Sequence, residues 1–344
     1  MRKLVQAFLV VTAIVMLSTG GMVHAQSNGI GITPRKDFTV KPGAHVSDTL
    51  FVSNLSQNQE LRVSIRVVDF KAQDESGTPA LQLAANAPQT PWSLKPFIKI
   101  AGSVTVAAGK STYVPFTVAI PSSQGAGSYY SAIEYVAENA ATQQKVNIAA
   151  SSASLVFVAV PGQAKEQLAM EQFGAYAPNK DEQTGVFKSW FIGSQPQQLA
   201  YRLTNHGNVA EQPAGAILIK NIFGKEVKQI NKANPKNQLA LIDQTRRFQT
   251  CIVTEETTNT TASGQTNPQI KCVDPGLAPG RYTAQLALFY GLNGSNTQEI
   301  AATATFWYLP WWFVGLLVLV VVAIAVLVWW LRRQMSKRGK AKRR

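Results

Sequence analysis

Charge is scarce in this chain of 344 residues. Asp, Glu, Lys and Arg make up 15%, against roughly 25% in typical soluble domains. That scarcity excludes a disordered acidic chain, a coiled coil and an ordinary cytosolic enzyme. Two cysteines are too few for a disulfide-dense secreted scaffold, and three histidines leave little material for a metal cluster. The formal charge of +14 suggests nucleic acid only until it is divided by region. Arg2, Lys3 and eight bases within residues 332–344 account for ten of the 33 Lys and Arg; the other 23 face 19 acids. The basicity therefore sits at the ends, beside two long apolar runs, and no nucleic-acid partner is expected.

The ends predict topology. Arg2 and Lys3 precede an uncharged stretch over residues 4–17, followed by Val23-His24-Ala25 before Gln26. A positive start, an apolar middle and a small-residue site describe a signal peptide over residues 1–25. An N-terminal anchor helix is the alternative, but the apolar stretch is short for a span, and no cysteine follows it for a lipid anchor. Residues 311–331 carry no charge; at about 1.5 Å per residue they reach about 31 Å, the thickness of a hydrocarbon core. Trp307, Tyr308, Trp311 and Trp312 mark one interface and Trp329 and Trp330 the other. We assign residues 310–331 to a transmembrane helix and 332–344 to a basic cytoplasmic tail that meets anionic lipid. The expected placement is the plasma membrane, crossed once, with residues 26–309 outside. Leu309-Pro310 opens like a sortase signal, but Trp311-Trp312 follow where Thr-Gly is needed, so the helix is the anchor.

Between the ends the dominant period is two. Leu61, Val63, Ile65 and Val67 alternate with polar residues, as do Val114, Phe116, Val118 and Ile120. Tyr130, Ala132, Glu134 and Val136 alternate less cleanly, and residues 155–160 are apolar on both faces, as in a central strand. Leu199, Tyr201 and Leu203 alternate in the second half, and Tyr282, Ala284, Leu286, Leu288 and Tyr290 form the cleanest run. Lys41-Pro42-Gly43, Ala108-Gly109-Lys110, Asn205-His206-Gly207-Asn208 and Pro279-Gly280 punctuate these runs as turns. The expectation is an all-β exterior of two tandem sandwiches, residues 26–161 and 162–309, broken near Pro161-Gly162. A weak internal repeat supports two copies. Phe51-Val52-Ser53-Asn54 matches Arg202-Leu203-Thr204-Asn205, and Gly127-Ser128-Tyr129 matches Gly280-Arg281-Tyr282. A tyrosine there often ties a loop back through its hydroxyl. Residues 255–269, rich in Thr and Asn, read as a solvated, mobile loop.

Cys251 and Cys272 lie on the expected exterior, where a disulfide is the default; a redox pair would need Cys-x-x-Cys spacing and a nearby histidine. No G-x-S-x-G, H-E-x-x-H or glycine-rich phosphate loop occurs. Asp74-Glu75-Ser76-Gly77 lacks the downstream glutamate of a calcium loop and reads as a turn. Asp69 with Asp74, or Asp181 with Glu182, are the available acid pairs, and solvated carboxylates are commoner than catalytic ones. The chain is expected to be no enzyme and to need no metal or cofactor. Trp92, Tyr176 and Trp190 are candidate ligand contacts, each weighed against a place in the core.

The first half resembles the peptidoglycan-binding domain of WxL-interacting proteins, surface proteins of Gram-positive-type cells. The carriers are Phe38-Thr39-Val40-Lys41-Pro42-Gly43, Leu50-Phe51-Val52-Ser53-Asn54, residues 104–111, Phe116-Thr117-Val118-Ala119-Ile120-Pro121 and residues 127–133, in the family's order. The second half departs from the family in its cysteine pair and its Thr/Asn insertion. Trp92-Ser93-Leu94 spells the WxL motif once and reads as core or loop filling. The resemblance implies Ig-like folds and peptidoglycan as the first sandwich's ligand. The expected function is a membrane-anchored, non-catalytic envelope protein that binds peptidoglycan or other surface components. The alternative is a protein-interaction scaffold or adhesin that uses sandwich edge strands.

Overall fold

The computed structural model describes residues 29–84, 86–138, 151–179, 184–260, 266–291 and 297–341. The expected signal peptide, Asp181, Glu182 and the tail residues 342–344 lie outside them. The fold is all-β: two tandem Ig-like sandwiches, followed by one helix long and apolar enough to cross a membrane.

In the first sandwich one layer orders β1 (Ile30–Ile32), β3 (His45–Asn54), β9 (Ser111–Ala119) and β7 (Ile98–Ile100). The other orders β2 (Arg35–Thr39), β11 (Ser151–Val160), β10 (Gly127–Glu138), β4 (Leu61–Val68) and β8 (Ser103–Val106). A small hairpin, β5 (Phe70–Ala72) with β6 (Pro79–Leu81), stands outside both layers. In the second sandwich the four-stranded layer is β13 (Gly185–Phe187), β12 (Leu168–Pro178), β15 (Gln198–Asn205) and β18 (Thr245–Cys251). The five-stranded layer is β14 (Trp190–Ile192), β22 (Gln298–Leu309), β21 (Gly280–Tyr290), β16 (Ala214–Asn221) and β17 (Glu226–Ile230). In both copies an early strand lies parallel to the last one, β2 against β11 and β14 against β22, while the other pairings are antiparallel.

The period-two residues fill the cores. Leu50, Val52, Val63, Val118 and Ile133 are fully buried in the first, and Leu199, Tyr201, Ile217, Ile219 and Leu288 in the second. Each such side chain contributes about 1.5–3 kcal/mol. The repeated asparagines close equivalent corners. Asn54 Nδ2 donates to Gln59 O at 2.7 Å and Val106 O at 3.1 Å while Oδ1 accepts Ser56 N. Asn205 Nδ2 donates to Val209 O at 2.6 Å and Ala240 O at 2.8 Å while Oδ1 accepts Gly207 N. The tyrosines repeat too: Tyr129 Oη donates to Gly125 O at 2.9 Å and Tyr282 Oη to Ala278 O at 2.6 Å.

Within 255–269 the described residues differ from expectation. Residues 255–260 and 266–269 lie in a hairpin, β19 (Thr254–Thr260) with β20 (Thr266–Cys272), because Thr-rich segments satisfy their backbones by pairing as readily as by hydration; residues 261–265 lie outside the described residues. Cys251 and Cys272 are bonded across its base, with Cα atoms 5.2 Å apart.

After β22 the helix α1 (Trp311–Ala341) begins, and Trp311–Arg333 is its apolar part, none of it buried against the protein. The interdomain face lies at the far end of β22, so at about 3.3 Å per residue it stands about 36 Å from the helix start.

Candidate functional site

Two strands of the first sandwich, β10 and β11, bury side chains on both faces for a tertiary reason. Ile133 and Tyr135 of β10 and Val156 and Val158 of β11 point into the first core. Tyr130, Ala132 and Phe157 point the other way, into a third cluster with Val68, Phe70 and Trp92. The second sandwich completes that cluster with Ala210, Leu239, Leu241 and Ile242, which lie in its end loops. The two sandwiches therefore share a core.

Polar contacts lock the seam. Ser128 N donates to Asn208 O at 2.9 Å, Asn208 Nδ2 to Ala126 O at 3.0 Å, and Ala210 N to Ser128 Oγ at 3.0 Å. Gly127 (φ +145°) permits this approach, since a Cβ there would stand 2.7 Å from Asn208 O. On the other flank Asp74-Glu75-Ser76-Gly77 is a turn, closed by Asp74 Oδ1 accepting Ser76 N at 2.7 Å. The Ser76 hydroxyl, and then that backbone bond, hold the Asp74 carboxyl below its usual range. Its neighbour Glu75 pairs with Arg202, and Glu75 O accepts Arg247 N at 2.7 Å. Arg246 Nη2 reaches Ser76 O at 3.1 Å, and Gln244 Oε1 accepts Ala72 N at 2.7 Å. The β5–β6 hairpin is thus a clamp onto the second sandwich, which the turn residues alone did not announce.

Beside the shared core a cleft of about 430 Å³ opens between the sandwiches. From the first, Arg35, Asp37 and Phe157 line it; from the second, Glu211, Gln212 and Gly291. Strand β2, the end strand of its sheet, forms one rim. Arg35 pairs with Asp37 at 2.6 Å and lies over the Phe157 ring, 4.6 Å from its centre. Glu211 is 1% exposed. Its Oε2 accepts Gly291 N at 3.2 Å, and Oε1 has no partner among the described residues. Burial, with the Glu166 carboxylate second, pushes its pKa up to about 7. The cleft thus offers an aromatic wall, a guanidinium–carboxylate pair, a hydroxyl, an amide and one buried carboxyl. Such a set hydrogen-bonds sugars or peptide groups, and it includes no paired nucleophile and base.

The three candidate contacts do not converge. Trp92 is buried against Tyr130 in the shared cluster, with ring centres 6.0 Å apart, and Leu94 is fully buried in the first core, so Trp92-Ser93-Leu94 is packing. Tyr176 is 1% exposed, between Phe187 and the Arg247 guanidinium. Burial moves both from contact to core, the ordinary fate of large aromatics. Trp190 is 55% exposed and stacked on Trp307 at 5.3 Å, at the end of the second sandwich nearest α1.

Nor do the acid pairs assemble. Asp69 is buried and accepts Ser93 Oγ at 2.7 Å and Ser131 Oγ at 2.9 Å, which makes it a structural acceptor. His45 and His206 are exposed. Among the described residues no three His, Cys, Asp or Glu side chains stand together as metal ligands. Sequence reasoning missed Arg35, Phe157 and Glu211. The one available signal was an acid at 211 flanked by Val209-Ala210 and Pro213, a dry setting for a carboxylate.

No protein-family model matches the chain, and no curated protein sequence matches it. Among solved structures the chain is similar to the class 5 fimbriae chaperone CfaA, at 12% identity and TM-score 0.37, over 80% of this chain and 98% of that one. It is similar also to the Escherichia coli chaperone DraB, at 11% identity and TM-score 0.34, over 80% and 97%.

Proposed function

We propose that the chain is a single-pass envelope protein. In this reading α1 anchors it in the plasma membrane, residues 26–309 lie outside, and the basic tail lies inside. The joined sandwiches bind an envelope component without catalysis, and peptidoglycan is the first candidate. The observation that carries the proposal is the cleft built by both sandwiches over their shared core, held by the seam contacts. A rigid cleft loses little entropy when it is occupied. Its mixed aromatic and polar lining suits glycan and stem-peptide groups, and anchoring raises the effective concentration near the wall.

The test is retention of the full chain, in detergent, by sacculi stripped of protein. Pelleting with bare sacculi, reduced about tenfold by Phe157→Ala on loss of one buried contact, is the expected result. A second reading is favoured by the position of β2: an end strand on the cleft rim can accept a partner's strand. Retention by protein-coated sacculi alone would select that reading and discard peptidoglycan.

A further inference from the structure

The end of the second sandwich that carries α1 exposes another apolar feature. β22 runs into Pro310, whose carbonyl accepts Phe313 N at 3.0 Å and Val314 N at 3.1 Å and so starts the helix. Leu309 O accepts Gly193 N at 2.9 Å. Gly193 (φ +85°) lies so close under Trp311 that a Cβ there would meet the indole nitrogen at 2.3 Å. The helix thus leaves the sheet at a braced point.

Strand register carries that level across the sheet. Asn221 stands opposite Tyr282, and Tyr282 opposite Phe306. At about 3.3 Å per residue and 4.8 Å per strand, Asn221 is about 10 Å back from Leu309 and about 10 Å to its side. The turn from β16 to β17 continues from Asn221 toward the level at which α1 begins. It presents Ile222, 62% exposed, and Phe223, 90% exposed. Asn221 Oδ1 holds the turn by accepting Phe223 N and Lys225 N, each at 3.0 Å. Exposed to this degree, the pair packs no core. The neighbouring turn at this end, Gly193-Ser194-Gln195-Pro196-Gln197, carries no apolar side chain of that size.

We propose that residues 222–225 are a second membrane contact, in which Ile222 and Phe223 enter the headgroup–acyl boundary of the bilayer that α1 crosses. The physical cause is removal of two large apolar side chains from water at a fixed height, with the exposed Lys225 left at the phosphates. The sandwich then stands on two points, which limits its tilt. The inference rests on the anchored reading above, and one experiment separates their failures.

The full chain is placed in vesicles of phosphatidylcholine and phosphatidylglycerol, with a nitroxide on Phe223→Cys, Val322→Cys or Tyr113→Cys. The native cysteines are bonded, so labelling is selective. Tyr113 is 66% exposed in the first sandwich and serves as the aqueous reference. We expect the ratio of collisions with oxygen to those with a water-soluble nickel chelate to be about threefold higher at 223 than at 113, as for a side chain at the interface. A lipid reading at 322 with equal ratios at 223 and 113 overturns this inference and leaves the anchor standing. A water reading at 322 overturns both.

Discussion

The two sandwiches repeat one plan with different local chemistry. Each ends a core strand on a buried asparagine, β3 on Asn54 and β15 on Asn205, and each ties a loop with a tyrosine four residues after its acceptor. The backbone that faces these asparagines turns through a left-handed residue in both. That residue is Gly109 in the first copy (φ +62°) and Asp243 in the second (φ +54°). Gly109 N donates to Ser56 O, and Asp243 N to Asn205 O. A corner held by an asparagine tolerates a side chain at the strained position, so the hydrogen-bond pattern, rather than the glycine, carries the motif. The copies differ most where they add a hairpin. The first adds β5–β6 and uses it as a clamp; the second adds β19–β20 and closes its base with a disulfide.

The largest expected effect is at the corners. Asn205→Ala strands two carbonyls and one amide in the core and is expected to cost about 4 kcal/mol, with Asn54→Ala close behind. Denaturant unfolding of the full chain in detergent measures both, and a cost below about 1 kcal/mol in either would break the equivalence of the copies. Next is the seam. Folding raises the Glu211 pKa from 4.5 to about 7, so the folded state holds a proton that the unfolded chain has already released. Its contribution is full below about pH 4.5, falls as pH rises, and is gone above about pH 7, a change of about 3 kcal/mol. Glu211→Gln is expected to flatten the slope of stability between those pH values.

The disulfide sharpens the asymmetry. Replacing both Cys251 and Cys272 by serine opens a 21-residue separation and is expected to cost about 3 kcal/mol in the chain-entropy account. Hydrogen exchange resolved by peptide should show the loss in the second sandwich before the first. The smallest effect tests the left-handed pair. Gly109→Ala should destabilise by about 1–2 kcal/mol, while Asp243→Gly should change stability by less than about 1 kcal/mol or improve it. A Gly109→Ala cost as small as that at 243 would mean that the first copy, too, carries its corner without glycine.

Much of this was legible in the strands. Val114, Phe116, Val118 and Ile120 alternate because one face of β9 meets the core, and the burial follows the pattern residue by residue. The corner asparagines and tyrosines were visible as a repeat because local hydrogen bonds need particular residues at particular offsets. The seam was visible only as an irregularity, in the blurred alternation of β10 and the two-faced β11. Tyr130 and Phe157 read as interior residues, but nothing near them in the chain says that Leu239, Leu241 and Ile242 cover them.

The amino-acid order by itself determined the period-two strands, the turns that end them and the long uncharged run, because each is written in a contiguous stretch of chain; it named two cysteines, and the fold brought them together across 21 residues. Only the tertiary structure decided that the sandwiches share a core, that Glu75 is a clamp, that Trp92 and Tyr176 are packing, and that Glu211 is buried beside a cleft. Those outcomes depend on surfaces brought together from distant parts of the chain, as in Arg202 with Glu75, 127 residues apart. Burial, pairing and electrostatics there are properties of the assembled interface and of no segment alone.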